Sequence, residues 1–145
     1  MASKTIIIKG INADHSLQLS DSGHTRTVKK AVITWKIKRR SGVTAITCIE
    51  PKDGSVSIFK PGDPKPVQGT TRWQGKIKDL TLPATEEYSI GYIDASGKSY
   101  LYDPKISVNT SFFNIIAFKK KLVLFVLALL ALFSILSLFR HKNKG

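Results

Sequence analysis

One uninterrupted apolar segment constrains this chain more than any other feature. Residues 122–139 read LVLFVLALLALFSILSLF and contain no charged residue, no glycine and no proline. As a helix the segment would rise roughly 27 Å, close to the ~30 Å hydrocarbon core of a bilayer. A helix buried in a protein core normally keeps one polar face, but the only polar side chains here are Ser134 and Ser137. The sequence therefore predicts one C-terminal transmembrane helix over residues 122–139. The alternative is an apolar helix buried within an oligomer.

Aromatic and basic residues flank the apolar segment. Such residues are favoured where a membrane meets water, so residues 112–121 are predicted to be a juxtamembrane segment and residues 140–145 a short basic tail. The alternative for residues 112–118 is a last strand or the first turn of a longer helix. The predicted membrane-interface residues are Phe112, Phe113, Phe118, Lys119, Lys120, Lys121 and Arg140.

The position of the apolar segment predicts a tail-anchored topology. The opening MASKTIIIKG has too short an apolar stretch for a signal peptide. Basic residues flank the predicted span on both sides, so charge does not decide its orientation. The single Cys48 fits a reducing compartment. We therefore expect a single-pass membrane protein whose N-terminal domain is cytosolic.

Residues 1–111 are predicted to form a soluble β-domain, because short strand patterns alternate with turn signals. About eight short strands, with no amphipathic helix, predict an all-β antiparallel sandwich that is immunoglobulin-like or jelly-roll-like. The expected strands are residues 4–9, 15–19, 28–39, 43–49, 55–60, 72–78, 87–94, 99–102 and 105–108.

The clearest strand pattern lies in residues 28–39. Ile33, Trp35 and Ile37 would face one side while Lys36 and Lys38 face the other, which is the period-two pattern of a strand with one buried face. The expected core residues are Trp35, Trp73, Tyr88, Tyr92, Ile33 and Ile90.

Two short polar connections predict hairpins. Ser41-Gly42 would join the strand at 28–39 to the one at 43–49, and residues 95–98 would join 87–94 to 99–102. Both rest on glycine in a tight turn between two strand patterns.

A long basic run suggests a phosphate-binding surface. The formal net charge is +13, and no acidic residue occurs between Asp21 and Glu50. An exposed basic strand face would hold phosphate groups of a lipid, a nucleotide or a nucleic acid. The alternative is edge-strand protection, in which lysines discourage sheet-to-sheet aggregation. The candidate ligand-binding residues are Arg26, Lys29, Lys30, Lys36, Lys38, Arg39 and Arg40.

Catalytic and metal-binding patterns are lacking in the sequence. No histidine pair has metal-ligand spacing, and one cysteine cannot supply a zinc site. The segment from Gly91 to Ser99 resembles a phosphate loop but has five residues between its glycines instead of four, and a strand pattern follows it. Asp94 and Asp103 are expected to be turn residues and not a catalytic pair. We therefore expect no enzyme activity, no cofactor and no metal.

The end of the predicted domain resembles a known family. Residues 88–108, YSIGYIDASGKSYLYDPKISV, are similar to the close of the bacterial inclusion-body protein family. The resemblance implies a β-sandwich that ends in a hairpin and an Asp-Pro-x-Ile-x-Val strand, and Trp35 in a strand fits the same pattern. This chain departs from the family in its apolar C-terminal segment, so the resemblance bears on fold more than on function.

Together these features predict a non-enzymatic, membrane-anchored binding module that presents a basic β-sandwich to a partner. The expected partners are membrane lipid, a protein or a second copy of the chain, and a nucleotide or nucleic acid. The alternative is a membrane-acting effector of the toxin or defence type, whose β-domain senses or oligomerises and whose helix disrupts the bilayer.

Overall fold

The computed structural model describes residues 2–52 and 57–109, and these form ten β-strands. Residues Met1–Thr110 make one compact unit. In the described ranges, no helix has the length and apolar character needed to cross a membrane. The predicted span at 122–139 and the seven predicted interface residues lie outside the described part of the chain, so these stay predictions.

Five strands form sheet one: β1 (Ser3–Ile11), β2 (Leu17–Leu19), β4 (Val32–Ile37), β6 (Lys65–Pro66) and β7 (Trp73–Lys76). Their spatial order is β2-β1-β4-β7-β6. The central pair, β1 and β4, is parallel, while the other neighbours are antiparallel.

The other five strands form sheet two: β3 (His24–Val28), β5 (Val43–Pro51), β8 (Ala84–Asp94), β9 (Ser99–Tyr102) and β10 (Lys105–Asn109). Their order is β3-β10-β8-β5, with β9 also paired to β8. Strands β3 and β10 run parallel, and the rest of the sheet is antiparallel.

A single apolar core lies between the two sheets. Trp35 of β4 meets Tyr88 of β8 edge-on, with ring centroids 5.8 Å apart and an interplanar angle of 67°. The Trp35 Nε1–H donates a hydrogen bond to the Tyr88 hydroxyl at 3.2 Å. Burial raises the pKa of Tyr88 strongly, so this hydroxyl stays protonated and neutral. Sheet one and sheet two are therefore joined at their centre by both packing and a polar contact.

The all-β prediction is confirmed, but the expectation of wholly antiparallel pairing is wrong. Two of the strand pairs are parallel, so both sheets are mixed. Parallel partners are joined through other elements and not by a tight turn, and a turn signal in the sequence therefore cannot indicate them. The described residues form ten strands, where about eight were expected.

Strand β3 was not predicted, and its neighbour begins later than expected. Thr25 is the inward residue of β3 and is 1% exposed, so the strand buries a hydroxyl where the pattern requires an apolar side chain. That hydroxyl donates a hydrogen bond to the Asp21 carboxylate. Lys30 has a φ of 62° and makes a turn between β3 and β4, which is why residues 28–39 are not one continuous strand.

The predicted hairpin at Ser41-Gly42 is wrong. Strand β4 belongs to sheet one and β5 to sheet two, so the connection crosses between sheets. Arg40 and Gly42 both adopt the left-handed conformation, with φ values of 63° and 81°. The hairpin between β8 and β9 is confirmed; its turn is held by the Asp94 carboxylate, which accepts hydrogen bonds from the Ser96 and Lys98 backbone N–H groups.

Two other expectations are met only in part. Five of the six predicted core residues are at most 1% exposed, but Trp73 is half-buried. Its Nε1–H donates to the backbone oxygen of Ile46 at 3.2 Å. Of the strand expected at 55–60, residues 55 and 56 lie outside the described part, and Phe59 makes an isolated bridge to Ile77.

Candidate functional site

The structure divides the predicted basic run among three places. Arg26 lies on β3 in sheet two, paired in register with Ser107. Lys29 and Lys30 lie in the turn before β4, where both contact the Asp79 carboxylate, at 3.1 and 2.7 Å. The remaining four residues, Lys36, Lys38, Arg39 and Arg40, follow one another along β4 and the turn after it.

Two of these places lie at opposite ends of the domain. Residues 29 and 30 precede β4, and residues 39 and 40 follow it, so the length of β4 separates them by roughly 20 Å. The Asn109 end contains Lys29, Lys30 and the last residue of β10, because Asn109 pairs with Val28. The Arg40 end contains the turn from β4 to β5. The seven predicted residues therefore do not cluster at one end of the domain.

Lys36 lies on the outer face of sheet one. It alternates with buried Trp35 and pairs in register with Ile7 of β1. The pairing of β4 with β7 ends at Trp35 with Trp73. The next residues are Lys36 on β4 and Arg72, which directly precedes β7. Adjacent strands lie about 4.8 Å apart, so two cationic side chains stand next to each other on this face.

The same face continues to either side of Lys36. The parallel pairing of β1 with β4 ends at Ile8 with Ile37. The residues that follow them, Lys9 and Lys38, are both exposed. Lys76 of β7 pairs with Val32 of β4, and both residues are at outward-facing positions of sheet one. We call the set Lys9, Lys36, Lys38, Arg72 and Lys76 the basic face.

Three members of the basic face were missed from sequence. Lys9, Arg72 and Lys76 are far from the basic run along the chain, and the pairing of β1 and β7 with β4 brings them beside it. The alternation of Lys9 with buried Ile6 and Ile8 was a usable signal for its outward direction. Nothing in the sequence indicated which strand would lie next to β4.

Among the described residues, no member of the basic face forms an ion pair. The carboxylate of Asp63 lies beside this face, but one oxygen accepts the Lys76 backbone N–H at 3.0 Å and the other contacts Lys65 at 3.4 Å. The described residues thus leave the positive charges of the basic face without an ion-pair partner.

Charge is distributed unequally between the two sheets. The strands of sheet one contain five lysines and no acidic residue. The strands of sheet two contain two residues of fixed positive charge and four acidic residues. Because the field of a patch depends on its summed charge, the outer face of sheet one presents the more positive potential.

On the outer face of sheet two, two lysines are paired with acids. Lys105 contacts Glu87 at 2.8 Å, and Lys52 contacts both Glu87 and Asp103, at 3.7 and 3.0 Å. A hydrogen bond from Lys105 lowers the pKa of Glu87, and one from Lys52 lowers that of Asp103. These acids therefore stay ionised at neutral pH and balance the neighbouring lysines.

An open pocket of about 480 Å³ lies on the side of the domain formed by sheet two and the turn after β1. Its lining includes the carboxylates of Asp14, Glu50 and Asp103, together with Lys52 and the exposed Leu101. In the described part of the chain, no three His, Cys, Asp or Glu residues are arranged to hold a metal ion. The pocket is acidic and polar, so it does not extend the basic face.

A serine and a histidine meet on the outer face of sheet two. The His24 Nε2 lies 2.7 Å from the Ser107 hydroxyl, which is also 2.9 Å from the Thr85 hydroxyl. A nucleophilic serine requires, besides its base, a group that orients the base and donors for an oxyanion. Within residues 2–52 and 57–109 no such group hydrogen-bonds to His24, and the contact joins neighbouring strands β3, β10 and β8.

Glu86 is a buried carboxyl on the inner face of β8. It is 2% exposed, and its Oε2 accepts a hydrogen bond from the Ile58 backbone N–H. Its Oε1 has no hydrogen-bond partner among the described residues. Burial raises the pKa of Glu86, although the Ile58 N–H and the nearby Lys78 ammonium act in the opposite direction. Burial outweighs these two contacts, so the charged form is destabilised.

This pKa predicts the effect of Glu86→Gln. A group whose pKa is higher in the folded state stabilises the fold at low pH, and this contribution is lost as pH rises through the folded pKa. Glutamine keeps an acceptor for Ile58 and carries no charge. We expect Glu86→Gln to raise Tm at pH 7 by several degrees, since ~1 kcal/mol corresponds to about 4–8 °C for such a domain. The gain should shrink towards pH 4.

The measurement is thermal unfolding of both proteins at pH 7 and pH 4. Glu87→Gln is the matched control, because Lys105 lowers the pKa of this exposed neighbour and its neutralisation should lower Tm slightly at pH 7. A lower Tm for Glu86→Gln at pH 7 would show that attraction to Lys78 outweighs the cost of burial.

No protein-family model and no curated protein matches this sequence.

Proposed function

We propose that the chain is a non-enzymatic binding module whose basic face holds the phosphate groups of a partner. The observation that carries this proposal is the unequal charge of the two sheets. The strands of sheet one contain lysines and no acid, whereas Lys52 and Lys105 at sheet two are paired with Glu87 and Asp103. Edge-strand protection accounts for it poorly, because Lys36 is on β4, which has neighbours on both sides.

The chemistry of the basic face favours contact with phosphates over contact with bases. Among the described residues, the outward positions of β1, β4 and β7 hold lysine, threonine, glutamine and aliphatic side chains, and no aromatic side chain on which a base could stack. Lysine binds phosphate as a point charge, without the fixed geometry of base recognition. The proposed ligand is therefore a polyanion recognised through its phosphates, irrespective of its base sequence.

The fold and its attachment belong to the same proposal. Two sheets around one core support a β-sandwich, with the parallel pairs β1–β4 and β3–β10 as departures from the immunoglobulin and jelly-roll patterns. The resemblance to the inclusion-body protein family stays a prediction. Residues 122–139 support attachment to a membrane by a single helix, because they contain 18 successive residues without a charge. The lone Cys48 supports a cytosolic position for the domain.

The experiment is a titration of a labelled single-stranded oligonucleotide with residues 1–110, followed by fluorescence anisotropy at several salt concentrations. Five cations that each neutralise one phosphate predict a slope of log K against log salt of about −3.5, since each contact contributes roughly −0.7 on a single strand. Oligonucleotides of unrelated sequence should bind equally. The absence of binding at low salt, or a slope near zero, would contradict the proposal.

A further inference from the structure

The Asn109 end of the domain combines an exposed leucine with lysines. Leu82 lies in the loop between β7 and β8 and is 74% exposed, the most exposed of the three large apolar side chains that stand out from the described surface. Its neighbour Leu80 packs against the core, so the loop is held in place while Leu82 projects from it. Two residues further along, Ala84 pairs with Val108 of β10.

Lysines surround this loop. Asp79 holds the ammonium groups of Lys29 and Lys30, at 3.1 and 2.7 Å. Lys30 is further tied to the loop by its backbone N–H, which donates to the oxygen of Lys78. Exposed Lys4 is at the same end, because its neighbour Ser3 pairs with Val32 at the start of β4. Among the described residues, Asp79 and the buried Glu86 are the acids near these four lysines, so the described part of this end is positive.

The chain leaves the described domain at this same end. Asn109 is the last described residue of β10 and pairs with Val28, directly before Lys29. Residues 110–121 separate it from the apolar segment at 122–139, and even fully extended they reach at most roughly 40 Å. If that segment lies in a bilayer, residues 110–121 keep the domain near the bilayer surface. The Asn109 end is the end of the domain to which these connecting residues are attached.

We propose that the Asn109 end docks on an anionic lipid surface, with Leu82 entering the membrane interface and Lys4, Lys29 and Lys30 contacting the headgroups. A loop that carries one exposed apolar side chain among lysines fits such a surface, because the apolar group enters the acyl boundary while the cations stay with the anionic headgroups. This inference rests on the membrane attachment proposed above. In the docked domain, Arg39 and Arg40 at the opposite end face away from the membrane, where a soluble partner can reach them.

The test uses the full chain in nanodiscs that contain anionic lipid, with quenchers attached to the lipid headgroups. In a Cys48→Ser background, a fluorophore on Thr81→Cys reports on the loop beside an intact Leu82, and a fluorophore on Ser96→Cys reports on the opposite end. We expect strong quenching at position 81 and weak quenching at position 96. Leu82→Asp should lower the ratio of docked to undocked domain by about tenfold.

Leu101→Asp is the matched control, because Leu101 is 69% exposed on the outer face of sheet two and does not belong to the docking end. It should leave the quenching at position 81 unchanged. Equal quenching at positions 81 and 96, or equal effects of the two aspartate substitutions, would overturn the docking inference alone. A chain that does not enter nanodiscs would overturn the membrane attachment and this inference with it, while leaving the basic face to be tested separately.

Discussion

Replacement of Trp35 by alanine is expected to lower the free energy of unfolding by about 3–5 kcal/mol, the usual range for removal of a buried large aromatic side chain. Trp35 is completely buried and packs on Tyr88 and Phe59, each with ring centroids 5.8 Å away. Its loss would leave a cavity at the point where the two sheets meet. It would also remove the donor to the Tyr88 hydroxyl. Chemical denaturation of residues 1–110 measures the change.

Trp73→Ala is the matched control for this loss of stability. Trp73 pairs in register with Trp35 but is only half-buried, so its removal should cost clearly less. A loss below about 1 kcal/mol for Trp35→Ala would mean that the side chain does not fill the core. Such a result would reverse the direction assigned to Lys36, and with it the placement of the basic face.

The β4 strand shows what periodicity can predict. Ile33 and Trp35 alternate with polar residues, and because burial of large apolar side chains dominates the choice of strand face, that alternation identified the inward side correctly. The hairpin from β8 to β9 was equally predictable, since Asp94 and Gly97 supply the turn within the sequence itself. Both are local features, and local chemistry fixes them.

The features that sequence reasoning missed depend on contacts between distant residues. The parallel pairing of β1 with β4 is set by packing across the whole domain, and no residue type signals it. Strand β3 was not predicted because its buried residue is Thr25, whose hydroxyl donates a hydrogen bond to Asp21. The candidate site was therefore predictable in its centre, Lys36 and Lys38, but not in its extent, because Lys9 and Arg72 join it only through the sheet.

Charge reversal at the centre of the basic face is expected to have the largest effect on binding. In the variant Lys36→Glu with Lys38→Glu, two cations beside the phosphates become two anions, a change of four charge units. At an effective dielectric constant near 20, each charge within several ångströms of a phosphate is worth on the order of 1 kcal/mol or more. We therefore expect a dissociation constant about 100- to 1,000-fold higher at low salt, and a smaller effect as salt screens the interaction. Fluorescence anisotropy with the labelled oligonucleotide measures it.

The most direct measurement compares that variant with Arg26→Glu combined with Lys105→Glu in the same titration. The second variant changes the net charge equally, but its residues lie on sheet two, where Lys105 is already compensated by Glu87. Unfolding curves of both variants should first show that the domain is intact. The account predicts that the sheet-two variant stays within about threefold of the unaltered protein, because it acts only through the screened long-range field, while the variant at the basic face loses at least about 100-fold. Equal losses in the two variants would contradict the account, since binding would then follow net charge and not the outer face of sheet one.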